Sequence, residues 1–239
     1  MSLSLIRLIP QYCPMCNMRR KNIAASFNGS ALCVFCANEI TKSMFDGRPR
    51  CPRCSLVIQK HINCPDCIRV PSSFSRVIAA FDYSEPGDML IHMLKAQRNF
   101  SIAPVVASLM VHAWVHKGVT EFNNFYVVPV PASEASLRKR GFNPAAQIAK
   151  EVVRQLKFKY SPKTLIRLRE GQKQAHSDRE QRIINTFALY GVGGPVKGVP
   201  IMVIDDVLTT GATMHSIAKL LLSAGASSVY GLVAARAPA

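Results

Sequence analysis

Two adjacent carboxylates, Asp205 and Asp206, stand between an apolar run and a turn rich in hydroxyl groups. The apolar run, residues 201–204, suits a strand that is buried on both faces, so the acids should emerge at its carboxyl end. The turn, residues 209–213, offers three threonine hydroxyls, a glycine without a Cβ and the backbone N–H groups of a helix start. Paired acids beside such a turn favour a phosphate-ribose site over an ordinary loop with a threonine N-cap.

A second chemistry is indicated by eight cysteines, which form four Cys-x-x-Cys pairs within the first 67 residues. Each pair lets two thiolates face one ion, and two pairs complete the tetrahedral four-thiolate shell that zinc prefers. Sequential pairing on two zinc ions is the simplest interpretation, and an interleaved arrangement stays open. Repetition of the pair disfavours a redox role, and a reducing cytosol disfavours disulfides. The predicted ligands are Cys13, Cys16, Cys33, Cys36, Cys51, Cys54, Cys64 and Cys67.

The formal net charge of +16 is unevenly distributed. Residues 1–70 carry ten Lys and Arg against three acids, residues 133–187 carry thirteen against five, and the remainder is close to neutral. Two four-thiolate zinc sites would lower the total to roughly +12. The excess favours a polyanion such as nucleic acid or a very negative small substrate, with a merely solubilising surface as the alternative. No apolar run reaches the roughly 18 residues of a membrane span, and no secretory signal is evident, so a cytoplasmic protein is predicted.

The elements that must position these groups are predicted from periodicity and turn residues. Residues 1–70 read as a cysteine module held by metal, and residues 71–239 as a domain of alternating strands and helices. Alternation of this kind predicts an α/β fold with a mainly parallel sheet flanked by helices, whose sites lie at the carboxyl ends of the strands. We predict strands at 76–83, 125–131, 201–204 and 229–235, helices at 89–97, 101–114, 144–156 and 215–223, and a loop at 132–142.

The segment that begins at Asp205 resembles the phosphoribosyl diphosphate (PRPP) loop of type I phosphoribosyltransferases, in which two acids follow a buried strand and precede a Thr-Thr-Gly-x-Thr turn. The whole chain resembles the ComF/GntX family of competence-linked, phosphoribosyltransferase-like proteins. Four features carry this resemblance in order: the double zinc ribbon with Cys51-Pro-Arg-Cys54 and Cys64-Pro-Asp-Cys67, the helix that contains Leu90-Ile-His-Met-Leu-Lys95, Val128-Pro-Val-Pro131 followed by Arg140-Gly-Phe-Asn-Pro144, and the PRPP loop. A looser match covers Gln174, Arg182 and residues 185–187.

The resemblance assigns roles to the residues of the PRPP loop. Asp205 and Asp206 would take the ribose 2′ and 3′ hydroxyls, and Mg²⁺ would accompany PRPP. The 5′-phosphate would be wrapped by Leu208, Thr209, Thr210, Gly211, Ala212 and Thr213.

The loop around Arg140 is the candidate pyrophosphate site. An arginine there can clamp pyrophosphate with two hydrogen bonds, and Asn143 can cap the following helix. Arg138 and Lys139 could bind phosphates of PRPP or of DNA. A surface loop anchored by Phe142 is the alternative. Asp205, Asp206 and Arg140 are therefore the candidate catalytic residues.

By resemblance, the chain is expected to bind PRPP and single-stranded DNA and to aid import of transforming DNA at the cytoplasmic side of the inner membrane. Two further possibilities stay open, namely inner-membrane DNA-import proteins as partners and a peripheral location at the inner membrane. Phe142, Phe158 and Tyr160 are the side chains available for base stacking. The alternative is an active phosphoribosyltransferase with an unidentified acceptor, because the sequence shows no nucleobase pocket. A structural zinc adaptor would leave the acid pair unexplained, and none of the histidines at positions 92, 112, 116 and 176 is expected to be catalytic.

Overall fold

A parallel five-stranded sheet forms the centre of the protein, as seen in a computed structural model that describes residues 12–19, 31–59, 63–69, 72–118, 124–169 and 189–238. The strand order is β1-β7-β6-β2-β3, and every neighbouring pair is parallel. β4 and β5 form a separate antiparallel pair. The strands are β1 Arg76–Asp82, β2 Tyr126–Pro129, β3 Lys159–Tyr160, β4 Leu165–Arg167, β5 Tyr190–Val192, β6 Pro200–Leu208 and β7 Ser228–Arg236. The predicted α/β class with a mainly parallel sheet is confirmed.

Seven helices lie within the described residues: α1 Val34–Phe45, α2 Pro65–Arg69, α3 Gly87–Lys95, α4 Ile102–His116, α5 Glu134–Arg140, α6 Pro144–Leu156 and α7 Ala212–Ser223. No helix in this part of the chain has the length and apolar character needed to cross a membrane.

One prediction of local structure was wrong, because residues 134–140 form α5 where a loop was expected. The Ser133 side chain caps this helix by accepting a hydrogen bond from the Ser136 N–H at 3.1 Å. Gly141 ends it in the left-handed conformation at φ +80°, which glycine adopts without strain. Caps at both ends stabilise a helix too short to show a clear apolar period.

The start of the last helix also differs from its prediction. α7 begins at Ala212, three residues before the predicted position, because Gly211 adopts φ +78° and turns the chain directly from the strand into the helix. The early start brings the whole turn after Asp206 to the amino end of a helix of 12 residues.

The two faces of the sheet bury separate apolar clusters, since alternate residues of a strand point to opposite sides. Ile78 and Ala80 of β1 pack with α4 and α6, whereas Val77 and Ala79 pack with α7. The cysteine segments enter both clusters: Cys13 joins the first, and Cys51, Cys54 and Cys64 join the second. The cysteine segments therefore share the apolar core of the sheet. A domain boundary between residues 70 and 71 stays a prediction, and both residues lie outside the described ranges.

Strand β1 lies at an edge of the sheet, and the cysteine segment covers it. The Val77 N–H donates to the Arg53 carbonyl at 2.6 Å, and the Val77 carbonyl accepts from the Ser55 hydroxyl at 2.8 Å. At the end of the strand, Arg50 binds both carboxylate oxygens of Asp82 at 2.8 Å. These contacts fill hydrogen-bonding positions that an exposed edge strand would leave open.

Candidate functional site

Asp205 and Asp206 lie near the carboxyl end of β6, between the neighbouring strands β2 and β7. The strand continues through both acids, and Asp205 pairs in register with Val233 of β7. The Asp206 N–H donates to the Asp205 carboxylate at 2.9 Å. The sheet therefore presents two carboxylates in a fixed relation at the edge where open α/β sheets bind ligands.

The two carboxylates have different electrostatic surroundings. Burial, together with the negative charge of Asp206, raises the pKa of Asp205 to about 7. Asp206 is held by Lys95 of α3, whose Nζ lies 2.7 Å from its carboxylate oxygen. At neutral pH the site therefore holds a lysine-paired carboxylate beside one that titrates. Such perturbed acids are typical of functional sites.

Lys95 is the site residue that the sequence did not identify, although the helix it ends was part of the family resemblance. It is separated from Asp206 by 111 positions along the chain. The available signal was its place in the last turn of α3, the helix that follows β1. Because the carboxyl ends of parallel strands share one edge, a basic residue in that connection could have been expected to reach the acids.

The turn after the acids has the form of an anion site. Gly211 adopts φ +78°, and the Ala212 N–H lies 3.4 Å from the Thr210 hydroxyl. Thr209 is exposed, and Thr210 to Thr213 are half-buried. The amino end of α7 therefore offers backbone donors and hydroxyls to a solvent-accessible anion. We refer to residues 209–213 as the ligand loop.

Leu208 lies apart from the rest of the predicted phosphate-binding set. Its side chain is buried in the apolar cluster below α7. Its carbonyl accepts the Ala237 N–H at 2.9 Å. Its own contribution to a ligand site would be confined to the backbone.

Arg140 and its two basic neighbours form the last turn of α5. Arg138 and Lys139 are exposed and Arg140 is half-buried. The segment leaves β2 beside the acid-bearing strand, because the Val130 N–H donates to the Ile204 carbonyl at 2.9 Å. The residues predicted to bind pyrophosphate and those predicted to bind ribose thus lie at the same edge of the sheet. Their roles remain predictions.

The predicted cap of α6 is confirmed. The Asn143 side chain accepts from the Ala145 N–H at 3.1 Å and donates to the Val130 carbonyl at 2.9 Å. Pro144 follows at the first helical position. This double contact fixes the turn that carries Arg140 against the end of β2.

The aromatic side chains expected to stack on bases lie differently from the prediction. Phe142 is only 6% exposed, so its availability for stacking was wrong. It packs edge-on against Phe100 at 4.6 Å, and Phe100 is 53% exposed. Phe158 is half-buried against Phe125, and Tyr160 is half-buried. Phe100 is the aromatic surface at this position.

Phe100 stands next to the basic segment of α5. Arg98, two residues before it, donates from its guanidinium to the Lys139 carbonyl. The charge of Arg138 is partly offset by Glu134 at 3.1 Å, an exposed pair of small energetic weight. We call Arg98, Phe100, Arg138, Lys139 and Arg140 the basic-aromatic patch.

The cysteines form two groups of four, one from the first two Cys-x-x-Cys pairs and one from the last two. This confirms sequential pairing. Within each group the four sulfur atoms lie within 4.8 Å of one another. Measured Sγ–Sγ distances are 3.8 Å for Cys16 and Cys33, and 3.5 Å for Cys54 and Cys64. Tetrahedral zinc with Zn–S bonds of about 2.3 Å separates its sulfurs by about 3.8 Å, so both groups could hold zinc.

The thiols of each group influence one another's ionisation. Burial opposes ionisation of Cys13, but backbone N–H donors outweigh it and lower the pKa of this thiol to about 7. In the second group, burial and the neighbouring cysteines raise the pKa of Cys54 to about 12. A divalent cation would relieve this repulsion and supply the reason for clustering four thiolates.

The histidines show no catalytic constellation within the described residues. His112 and His116 pack around Phe45, with the His116 and Phe45 ring centroids 5.0 Å apart. His92 lines an open cavity beside α3. The other positions singled out by the sequence lie outside the described residues: Gln174, His176, Arg182 and residues 185–187.

The chain is similar to bacterial proteins whose names refer to DNA utilization or competence. It is 28% identical over 224 residues to the DNA utilization protein YhgH of Salmonella typhimurium, covering 92% of this chain and 95% of that protein. It is 28% identical over 224 residues to Competence protein F of Haemophilus influenzae, covering 90% and 95%. Over 102 residues it is 34% identical to Competence protein ComFC of Bacillus subtilis, covering 43% and 40%. No family model matches the chain.

Proposed function

We propose that this chain, which belongs to the ComF/GntX family of competence-linked proteins, acts in DNA uptake by binding PRPP and single-stranded DNA in the cytoplasm. Two relatives matched over nearly their full length carry names that refer to DNA utilization and competence. PRPP binding and DNA contact are proposed from the site and from the basic-aromatic patch.

The observation that carries PRPP binding is the acid pair at the carboxyl end of β6 followed by the ligand loop. A phosphorylated ribose needs acceptors for its hydroxyls and donors for its phosphate. Asp205 and Asp206 supply the acceptors, and the amino end of α7 supplies the donors. Mg²⁺ would neutralise the pyrophosphate and bridge it to this acidic edge.

Binding requires the pairing of Lys95 with Asp206 to loosen. The 2.7 Å contact occupies an oxygen that would otherwise accept a ribose hydroxyl. Once Mg-PRPP is bound, the Lys95 ammonium is free to turn toward its phosphates. Lys95 would thus exchange one anionic partner for another, and the acids would not be left with uncompensated charge in the empty site.

Single-stranded DNA binding is carried by the basic-aromatic patch. Exposed Phe100 offers a ring for base stacking, and the contact of Arg98 with the Lys139 carbonyl joins its segment to the cationic end of α5, which offers Arg138 and Lys139 to phosphates. Aromatic stacking with a cationic border is the usual chemistry of sequence-tolerant single-strand binding. The buried Phe142 packs edge-on against Phe100 and so helps to hold its ring in place.

The test measures single-stranded DNA affinity at several salt concentrations, with and without Mg-PRPP. Phe100→Leu should weaken binding about fivefold or more, because stacking contributes about 1–3 kcal/mol per base. Phe35→Leu is the matched control, since Phe35 is 73% exposed at the start of α1. Binding that is insensitive to salt, or equally weakened by both variants, would refute the DNA proposal because counterion release demands a salt slope.

PRPP binding is tested separately by calorimetry. The native chain should bind Mg-PRPP with measurable heat, and the double variant Asp205→Asn, Asp206→Asn should not. Lys219→Met serves as control, because Lys219 lies on α7 beyond the ligand loop. Equal heats for the native chain and the double variant would contradict the assignment of the acids.

A second candidate function is phosphoribosyl transfer, favoured by a cavity on the helix that carries Lys95. Its lining combines apolar side chains with a carboxylate and an imidazole: Tyr83, Asp88, Met89, His92, Met93 and Gln97. One Asp88 carboxylate oxygen is buried without a hydrogen-bond partner among the described residues. Pyrophosphate release that depends on an added nucleobase or amine, and that is lost in His92→Phe, would support transfer over binding alone.

A further inference from the structure

Arg236 at the end of β7 is the largest of the fully buried side chains, with 2% of its surface exposed. Burying a guanidinium is costly unless each of its donors finds a partner. Its position therefore needs a reason beyond filling the core. The partners lie on two sides, one in the second cysteine group and one at the base of the ligand loop.

The contacts toward the cysteine group involve both of its Cys-x-x-Cys pairs. Arg236 Nε donates to the Cys54 carbonyl at 3.1 Å. Its Nη2 lies 2.6 Å from the carboxylate of Asp66, the residue between Cys64 and Cys67 that precedes the last thiolate. The guanidinium therefore contacts the backbone of one pair and a side chain of the other.

The contacts toward the ligand loop are to main-chain carbonyls. Arg236 Nη1 donates to the Leu208 carbonyl at 3.2 Å and to the Thr209 carbonyl. In a trans peptide the C=O and the following N–H point in opposite directions. Holding these two carbonyls therefore directs the N–H groups of Thr209 and Thr210 to the opposite side of the chain from Arg236.

A small cavity shows how closely the two sites approach. Its wall is shared by Cys67 of the second cysteine group, Gly211 and His215 of the ligand loop and α7, and Arg236. His215 Nδ1 also accepts the Ser73 N–H at 3.1 Å, which ties α7 to the segment between the cysteines and β1. A movement of either Cys-x-x-Cys pair would therefore be transmitted to the ligand loop by the Arg236 side chain.

We propose that Arg236 is a positioning residue that couples the second cysteine group to the ligand loop, so that zinc in the one and Mg-PRPP on the other stabilise each other. This rests on the proposed function for the identity of the ligand. Zinc would fix the Cys54 carbonyl and Asp66, these would fix the guanidinium, and the guanidinium would fix the loop carbonyls. Coupling between two bound ligands is reciprocal, so either site can report it.

The first test follows zinc transfer to a chromogenic chelator, using the zinc-loaded full chain. Release from the second group should slow about fivefold or more when Mg-PRPP is bound, within the usual range for coupled sites. Release from the first group is an internal control, because Arg236 has no hydrogen bond to any of its four cysteines. Assigning the two phases requires the Cys16→Ser variant, which removes one ligand of the first group.

Two substitutions separate coupling from general stability. Arg236→Lys keeps the positive charge, but a single ammonium group cannot bind the cysteine group and the ligand loop at the same time. The variant should therefore abolish the slowing of zinc release by Mg-PRPP. Arg50→Lys is the matched control. Like Arg236, Arg50 is a nearly buried arginine that donates to a main-chain carbonyl of the second cysteine segment, that of Ser55. Its other partners are Asp82 and Ser43, and none of the three lies on the ligand loop. Arg50→Lys should retain the full slowing.

A second measurement is independent of PRPP. Amide hydrogen exchange in the ligand loop should rise about fivefold or more in zinc-loaded Arg236→Lys and remain at the native level in Arg50→Lys. If calorimetry shows no Mg-PRPP binding, the proposed function fails, and loop exchange alone decides whether Arg236 connects the sites. If Mg-PRPP binds but neither zinc release nor loop exchange depends on Arg236, the coupling is overturned and the proposed function stands.

Discussion

Replacing Asp205 with asparagine should stabilise the folded protein at alkaline pH. The substitution keeps the shape of the side chain and the Oδ1 acceptor that binds the Asp206 N–H at 2.9 Å. It removes a carboxylate whose ionisation is opposed first by burial and then by the charge of Asp206. The native acid therefore costs stability, and the proposed role of Asp205 in ligand binding would account for its retention, as is common at functional sites.

The magnitude and sign follow from the pKa of Asp205, which is raised from 3.8 to about 7. Between these two values the folded chain holds a proton that the unfolded chain has lost, so native stability falls as pH rises. Each tenfold change in acidity corresponds to about 1.4 kcal/mol, so the full penalty above pH 7 is about 4 kcal/mol. Between pH 6 and pH 8.5 the native protein should lose about 1 kcal/mol relative to Asp205→Asn.

The assay is urea unfolding of zinc-loaded native and Asp205→Asn protein at half-unit steps from pH 6 to pH 8.5. Taking the difference between the two proteins cancels the contribution of the zinc thiolates, which is common to both. The difference should change most steeply at the acidic end of this range and level off above pH 7, where Asp205 is ionised in both the folded and the unfolded chain. Parallel profiles, or a variant less stable than the native chain at pH 8.5, would refute the argument that burial and Asp206 destabilise the charged form.

Three further outcomes are expected. Lys95→Met should lower the free energy of unfolding by about 1–3 kcal/mol, because it leaves the partly buried Asp206 without its 2.7 Å partner, and Lys95→Arg should recover most of this in chemical denaturation. Elemental analysis should find about two zinc ions per native chain and about one in Cys54→Ser, whose melting temperature should drop because Cys54 also lies in the apolar core. Gly211→Ala should lower stability by about 1 kcal/mol, because alanine is strained at the φ of +78°, and Gly211→Asn should lower it by less. A Cβ at this position would meet no other atom within 4 Å, so thermal melts of the two variants should report backbone strain alone.

The placement of the acids could be predicted because it depends on local pattern. An apolar run followed by Asp205 and Asp206 indicates a buried strand that ends in a site, and the parallel sheet confirms that geometry. The cysteine groups were predictable for the same reason, since the two-residue spacing constrains each pair wherever the chain goes. Periodicity and fixed spacing thus predict most of the sheet and the two cysteine groups.

The parts that could not be predicted depend on contacts between distant residues. Lys95 reaches Asp206 across 111 positions, and Arg236 reaches Cys54 across 182. For Arg236 no neighbouring residue indicates the partner, and for Lys95 the only signal is its place at the end of α3. Phe100 and Phe142 show a similar limit, because which of two neighbouring rings is exposed is decided by packing and not by residue type.

The position of β7 has a consequence for how the protein is made. β7 is the last described strand along the chain, yet it lies between β1 and β6 in the sheet. On the ribosome, the cysteine groups emerge long before this strand, so they could take up zinc while the sheet still has a gap between β1 and β6. β1 and β6 meanwhile expose facing edges that can pair with other chains. Slow or interrupted synthesis beyond residue 208 should therefore produce a metal-loaded, aggregation-prone species.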